Sequence, residues 1–206
     1  MDRFTNLEAI ACPLGLANVD TDQLIPARFM SRSRAQGYGS YLLHDLRFDT
    51  GGEPRPDFIL NTPRYANAKI LVARRNFGTG SSREAAVYAL WDYGIRCVVA
   101  PSFGDIFASN AVKNGLLPAM VEEAAVETLL RELATSTPVL RVDLDTQSVR
   151  TEARQFAFQV DPVRRLQLLN GWDDIDLTLR HTEQIAIYRR DRLAAEPWIV
   201  PMPPRA

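Results

Sequence analysis

The chain has 206 residues, of which 46% are hydrophobic and 24% are charged, and its formal net charge is −1. This is an ordinary composition for a soluble protein of one domain, and the near-neutral charge argues against a large electrostatic surface for nucleic acid or anionic lipid. No apolar run approaches the roughly 20 residues that a membrane span needs. Residues Met1 to Phe4 lack the charged and apolar regions of a secretory signal, so we expect a cytoplasmic protein.

The chain has few side chains of the types that bind transition metals. Its two cysteines, Cys12 and Cys97, lie far apart in apolar stretches, and its two histidines are His44 and His181. This set is too small for a zinc site or an iron–sulfur cluster held by this chain alone. We therefore expect two buried structural thiols and no metal ligands here, so that any metal chemistry comes mainly from another chain.

The first third of the chain combines one apolar run with several loops. Residues 7–12 form a plausible strand, and residues 18–22 form a polar turn. Residues 31–40 are rich in Ser, Arg and Gly, which favours a mobile segment, and residues 49–57 are typical of a surface loop.

The middle of the chain alternates short apolar runs with segments of helical periodicity. Strands are predicted at 69–73, 97–100 and 116–121, and helices at 82–93, 102–114 and 126–133. The alternating order implies a parallel sheet with right-handed crossovers.

The second half changes character. Residues 139–142, 148–150 and 156–160 alternate apolar and polar side chains, as small antiparallel strands do. Asp161 and Pro162 predict a capped helix start, with Val163, Leu166 and Leu169 on its inner face, and a last helix is predicted at 182–193. We expect one domain over residues 1–193, followed by a Pro-rich tail over residues 194–206.

A Gly- and Ser-rich junction, residues 78–84, follows a predicted buried strand and opens a helix. Unpaired backbone N–H groups and the helix dipole favour an anion there, and Arg83 adds a planar cation suited to a carboxylate. The same residues also fit the pattern of a capping box, in which the Ser81 side chain caps the helix and the Glu84 side chain accepts from the Ser81 backbone N–H. Both interpretations remain open from the residues alone.

Other polar residues admit both a functional and a purely structural interpretation. Asp20 and Asp22 are placed to orient an arginine or bind a cation, or they form a solvated turn. His44 and His181 are expected at the surface or half-buried. The arginines at positions 28, 32 and 34 are either solvated or face an anionic substrate.

Several motifs, taken together and in order, resemble the small subunits of isopropylmalate dehydratases, which belong to the aconitase superfamily. Residues 18–26 resemble the N-terminal signature of that family, and residues 76–84 resemble its central signature. Residues 92–94, 100–107 and 114–118 continue the resemblance, which extends to about Arg190.

The resemblance implies an α/β fold, the swivelling β/β/α domain that resembles the C-terminal domain of aconitase. It implies a heterodimeric hydro-lyase of leucine biosynthesis, which interconverts 2-isopropylmalate and 3-isopropylmalate by dehydration and rehydration. The partner is then a large subunit that carries a 4Fe-4S cluster, and this chain binds no cofactor itself. The open iron of that cluster acts as a Lewis acid on the substrate hydroxyl.

Site residues carry over from the matching motifs. Ser81 matches the serine that, as an alkoxide, removes the proton from the adjacent carbon. Arg83 matches the arginine that binds a substrate carboxylate, and Asp22 matches an active-site aspartate beside it. Gly80 and Ser82 complete the expected substrate-binding set.

Two positions depart from the family pattern: Thr79 stands where the family usually has cysteine, and Ala85 where it usually has histidine. These departures keep two alternatives open. One is the small subunit of a related diacid hydratase, of the citraconate, maleate, dimethylmaleate or homoaconitate type. The other is a non-catalytic scaffold subunit. Residues 31–40 are the candidate specificity segment because they follow the Asp20–Asp22 turn.

Overall fold

The computed structural model describes residues 1–199, which form two compact units, Met1–Gly171 and the chain from Trp172 onward. The predicted domain over residues 1–193 spans both units and stays a prediction. Of the predicted tail, residues 200–206 lie outside the described residues.

Seven strands of the first unit form a closed barrel. The strands are β1 (Asn6–Pro13), β2 (Ile70–Val72), β3 (Cys97–Ala100), β4 (Leu117–Val121), β5 (Val139–Asp143), β6 (Ser148–Arg150) and β7 (Gln155–Gln159). Strands β1 to β4 pair in parallel, and β4, β7, β6, β5 and β1 then pair antiparallel to close the barrel. The α/β swivelling class predicted from the resemblance is confirmed, together with the parallel and antiparallel halves.

The parallel strands are buried on both faces, which explains their continuously apolar sequences. Ile70 and Val72 belong to one hydrophobic cluster, whereas Leu71 between them belongs to the other. This split is the two-residue alternation of a strand. Helices therefore cover both faces of this part of the sheet.

The α-helices are α1 (Thr21–Leu24), α2 (His44–Arg47), α3 (Glu84–Tyr93), α4 (Asp105–Lys113), α5 (Glu123–Thr135), α6 (Pro162–Asn170), α7 (Asp174–Leu179) and α8 (Thr182–Ala195). Helices α3, α4, α5, α6 and α8 lie close to their predicted limits, whereas the short helices α1, α2 and α7 were not predicted. Helix α3 packs in the cluster of Leu71, whereas α5 packs in the cluster of Ile70. Gly94 ends α3 with a φ of +114°, a conformation that glycine adopts without strain.

Helix α6 has the predicted start but a different buried face. The Asp161 side chain accepts hydrogen bonds from the N–H groups of Val163 and Arg164, both at 3.0 Å. The prediction that Val163 lies on the inner face is wrong, because its exposed fraction is 55%. The buried side chains are Gln167 and Leu168, since only the last turns of the helix reach the core.

The candidate specificity segment, residues 31–40, contacts α3 through polar interactions. Arg34 forms an ion pair with Asp92, with 2.5 Å between Nη1 and Oδ2, and its guanidinium lies 4.4 Å from the ring centroid of Tyr88. The Tyr38 N–H also donates to Asp92, at 2.7 Å. The role of this segment in specificity stays a prediction.

The second unit contains α7 and α8. Asp173 caps α7 by accepting from two backbone N–H groups. Helix α8 buries none of its residues, and it carries exposed Ile185, Ile187 and Tyr188. Within residues 1–199, every helix is too short or too polar to cross a membrane.

Both cysteines are fully buried, as predicted, and this gives a chemical test of the core. Burial raises the pKa of the Cys12 thiol to about 12 and also raises the pKa of Cys97. Since the thiolate is the nucleophile, and since an acid with that pKa is ionised to the order of one part in ten thousand at pH 8, we expect neither thiol to react with a disulfide reagent in the folded chain. Absorbance of the released thiol should show no reaction before denaturation and two equivalents after it. Fast labelling of the native chain would contradict this packing.

Candidate active site

Three loops meet where parallel strands β1, β2 and β3 end. Asp20 forms a parallel bridge with Thr79, and Phe77 forms one with Phe103. The Gly78 N–H donates to Val19 O at 2.7 Å, and the Gly104 N–H donates to Phe77 O at 2.9 Å. The loop after β2 therefore lies between the other two, at the strand ends where α/β proteins place their ligand sites.

Three polar side chains, one from each loop, hold the loops in register. The Asn76 side chain donates to Asn18 Oδ1 at 2.8 Å, and the Ser102 hydroxyl donates to Asn76 Oδ1 at 3.2 Å. The Asn76 N–H donates to Ser102 Oγ at 2.9 Å. Asn18 and Asn76 both have positive φ values, a conformation that asparagine tolerates better than most residues. Ser102 therefore ties loops together rather than capping the helix after it, which begins at Asp105 with Gly104 as N-cap.

The two aspartates of the first loop have different roles. Asp20 caps α1 by accepting from the Gln23 N–H at 2.7 Å, and the Gln23 side chain accepts from the Asp20 N–H at 3.0 Å. Asp22 forms an ion pair with Arg83. Asp20 therefore has a structural role in the turn, whereas Asp22 orients an arginine.

The start of α3 differs from the predicted capping box. The helix begins at Glu84 with Arg83 as N-cap, and no side chain caps it. Glu84 instead accepts from Asn114 Nδ2 at 2.9 Å, so its carboxylate is directed to α4 rather than back to its own helix. Of the two interpretations left open by the sequence, the capping box of Ser81 and Glu84 is wrong.

Four of the five predicted site residues lie in the junction of residues 78–84, and Asp22 on α1 contacts it through Arg83. Ser81 and Ser82 are exposed, and within residues 1–199 neither hydroxyl has a hydrogen-bond partner. Arg83 pairs with Asp22 through Nη1 alone, which leaves its other guanidinium N–H groups available to a carboxylate. Gly80 has a φ of +95° and lies against α1. A free hydroxyl, unpaired helix N–H groups and a fixed cation together suit a small carboxylic acid.

Gly78 sets the path of this loop. Its φ is +74°, and an added Cβ would lie 2.1 Å from Cγ of the Phe107 ring. Phe107 is itself buried and packs edge-to-face on Phe77, with ring centroids 5.4 Å apart. No room for a side chain exists at this position without displacing α4.

Gly78→Ala is expected to lower the free energy of unfolding by about 2 to 5 kcal/mol, from left-handed strain and overpacking combined. The midpoint of urea unfolding, followed by near-UV circular dichroism, measures this loss. Gly52→Ala is the matched control, because Gly52 also has a positive φ but no atom within 4 Å of the added Cβ. An equal loss in both variants would show that the contact with Phe107 has no energetic weight.

The chain's own thiols do not fit as ligands of an iron–sulfur cluster. Cys12 and Cys97 belong to different hydrophobic clusters and are both fully buried, whereas a catalytic cluster has to meet its substrate. The described residues contain no group of three or more His, Cys, Asp and Glu side chains that could hold one metal ion.

Comparison with known proteins first defines the class. The Aconitase C-terminal domain family matches residues 1–124. A solved structure of 3-isopropylmalate dehydratase from Methanocaldococcus jannaschii superposes with a TM-score of 0.64 at 24% identity, covering 88% of this chain and 98% of that one. The fold is therefore that of the aconitase C-terminal domain.

Full-length relatives then define the family. The 3-isopropylmalate dehydratase small subunit of Rhodospirillum centenum is 48% identical over 200 residues, which cover 96% of this chain and 98% of that protein. The corresponding subunit of Delftia acidovorans is 46% identical over an alignment of 210 positions, gaps included, which covers 97% of both chains. The chain belongs to the family of 3-isopropylmalate dehydratase small subunits, within the aconitase superfamily of hydro-lyases.

The two departures from the family pattern have mild structural consequences. Thr79 contributes its backbone to the site, because its carbonyl accepts from the Thr21 N–H at 2.9 Å. Ala85 is half-buried and packs against the core. Neither replaces the serine, the arginine or the aspartate of the site. The names of the relatives support the dehydratase interpretation rather than the two alternatives.

The sequence interpretation missed Thr21, Asn76 and Ser102 as contributors to the site. Thr21 is enclosed, with 2% of its surface exposed, although it lies between two aspartates. Its position inside the polar turn was visible, but burial of a hydroxyl there depends on the loop after β2. Asn76 lies two residues before the Gly-rich junction, and its positive φ could not be predicted from its residue type alone.

Proposed function

We propose that this chain is the small subunit of a 3-isopropylmalate dehydratase that interconverts 2-isopropylmalate and 3-isopropylmalate together with a cluster-bearing large subunit. Ser81 acts as the base, Arg83 binds a substrate carboxylate and Asp22 orients Arg83. Gly80 and Ser82 complete the binding site. The observation that carries the proposal is the exposed Ser81 hydroxyl, which has no partner in the described part of the chain and lies near the Asp22–Arg83 ion pair at the start of α3.

The residues of this chain supply proton transfer and binding. A serine hydroxyl is a poor base unless its alkoxide is stabilised. The N-terminus of α3 contributes about half a positive charge, and Arg83 adds a full one. Ser81 then takes a proton from the carbon adjacent to the hydroxyl-bearing carbon, and the hydroxyl leaves to give an alkene. Water adds back across the double bond with its hydroxyl on the other carbon. A 4Fe-4S cluster on the large subunit would supply the Lewis acid for the departing hydroxyl.

Assembly is part of this mechanism. A partner that covers the strand ends excludes water and strengthens each charge interaction at Ser81. The isolated chain is therefore inactive, and the substrate binds between the subunits. We also infer a cytoplasmic location, in keeping with a biosynthetic enzyme.

Reconstitution tests the proposal. The chain is mixed anaerobically with the large-subunit homologue from its own genome, and alkene absorbance is followed with 3-isopropylmalate, citramalate-type acids and citrate. We expect turnover of 3-isopropylmalate that requires both chains. Turnover of another diacid alone would contradict the assigned substrate, and a stable complex without turnover would contradict catalysis.

A further inference from the structure

Thr21 is one of three polar side chains that are buried in the part of the chain that the structure describes; the others are Ser148 and Gln167. It is the first residue of α1, and its hydroxyl donates to the carbonyl oxygen of Ser81 at 3.0 Å. Its backbone N–H donates to Thr79 O at 2.9 Å. One residue therefore binds both carbonyls that flank Gly80.

These two contacts fix the orientation of two peptide planes. Because a trans peptide is planar, its C=O and N–H groups point in opposite directions. With the carbonyls of Thr79 and Ser81 directed at Thr21, the N–H groups of Gly80 and Ser82 point away from it. Among residues 1–199, neither N–H group has an acceptor. The same constraint limits the direction in which the Ser81 side chain projects from the backbone.

The threonine hydroxyl has a particular role in this arrangement. The Ser81 carbonyl also accepts from the Arg83 N–H at 2.8 Å, a local contact within the turn. Within residues 1–199, Thr21 supplies the only hydrogen bond to this carbonyl from a distant segment, 60 residues away. A methyl group in place of the hydroxyl would keep the size of this buried side chain and the backbone bond to Thr79, and would remove only the contact to the Ser81 carbonyl.

We propose that Thr21 is a positioning residue for Ser81: its buried hydroxyl holds the Gly80 turn so that the serine and the adjacent N–H groups face the substrate. The proposal rests on the proposed function of Ser81. A base displaced by about 1 Å can lose about 100-fold in rate, so the loss should appear in turnover rather than in substrate affinity.

The test compares Thr21→Val, Thr21→Ser and Ser148→Ala in the two-chain complex. For Thr21→Val we expect kcat to fall about 10- to 100-fold with KM within about threefold of wild type. Thr21→Ser, which keeps the hydroxyl, should restore kcat to within about threefold. Ser148, on β6, has an equally buried hydroxyl that is hydrogen-bonded to the Thr146 hydroxyl at 2.9 Å. Ser148→Ala removes this hydroxyl and should leave kcat unchanged.

Retention of kcat in Thr21→Val, or equal impairment of the valine and serine variants, would overturn the proposal. If Thr21→Val fails to fold or assemble, Thr21→Ser and Thr21→Ala make the same comparison, since they differ only in the hydroxyl. Equal kcat in that pair would also overturn it.

Amide hydrogen exchange separates this proposal from the proposed function. In the full chain without its partner, we expect residues 77–84 to exchange faster in Thr21→Val than in wild type, Thr21→Ser or Ser148→Ala. If the wild-type complex fails to turn over 3-isopropylmalate, or if Ser81→Ala keeps its activity, the proposed function fails. The exchange result still decides whether Thr21 holds the turn, and unchanged exchange would reject it.

Discussion

Ser81→Ala is expected to lower kcat for 3-isopropylmalate by about 1,000-fold in the two-chain complex, within the range for loss of a positioned general base. Thermal stability and binding of the large subunit should not change, because the Ser81 hydroxyl makes no hydrogen bond within residues 1–199 and is exposed. Steady-state kinetics give kcat, and size-exclusion chromatography gives complex formation. The loss is therefore chemical rather than structural.

Ser82→Ala is the matched control for this prediction. Ser82 is the next residue, is equally exposed and also lacks a hydroxyl partner in the described chain. As a binding residue it should raise KM several-fold and change kcat by less than about threefold, since one neutral hydrogen bond contributes about 1 kcal/mol. A Ser81→Ala complex with kcat close to wild type would remove Ser81 from the mechanism and favour a scaffold role.

Arg83→Lys is expected to lower kcat/KM about 10- to 100-fold, mostly through KM, as for the loss of a hydrogen bond to a charged group. A lysine keeps the charge but not the planar fork, so it cannot bind a substrate carboxylate at two points while it also pairs with Asp22. The Arg83 side chain is only 24% exposed, which fixes the direction of that fork. Initial rates over a range of 3-isopropylmalate concentrations measure the change.

Arg74→Lys controls for the general cost of replacing a paired arginine. Arg74 forms a two-point ion pair with Glu127, at 2.6 and 3.0 Å, outside the site. It should keep kcat/KM within about twofold of wild type, because surface ion pairs contribute little. Equal losses in the two variants would indicate that Arg83 has a structural role and does not contact the substrate.

Local patterns in the sequence determined most of the secondary structure. Continuous apolar runs gave β2 and β3, because parallel strands covered on both faces need no polar residues. Asp161 and Pro162 located the start of α6, since capping depends on neighbours along the chain. The ordered motifs also gave the family, and with it the expected roles of Ser81, Arg83 and Asp22.

Contacts between distant segments were decided only by the tertiary structure. The pairing of β1 with β5 closes the barrel, and it joins strands more than 120 residues apart. The Ser81 and Glu84 pattern suggested a capping box, but Asn114, the C-cap residue of α4, donates to the carboxylate of Glu84. Likewise Thr21 is polar and local in the sequence, yet its hydroxyl is buried against the carbonyl of Ser81.

The physical reason for this division is the range of the interactions. Helix caps, strand alternation and glycine turns depend on residues within about four positions, so the sequence by itself specified the order of elements and the residues available for chemistry. A hydrogen bond such as that of Thr21 with Ser81 exists only after strands β1 and β2 have paired and brought their ends together. The sequence thus predicted Ser81, Arg83 and Asp22 as site residues, and only the tertiary structure showed the contacts that hold the loop around them, such as the bond from Thr21 to the Ser81 carbonyl.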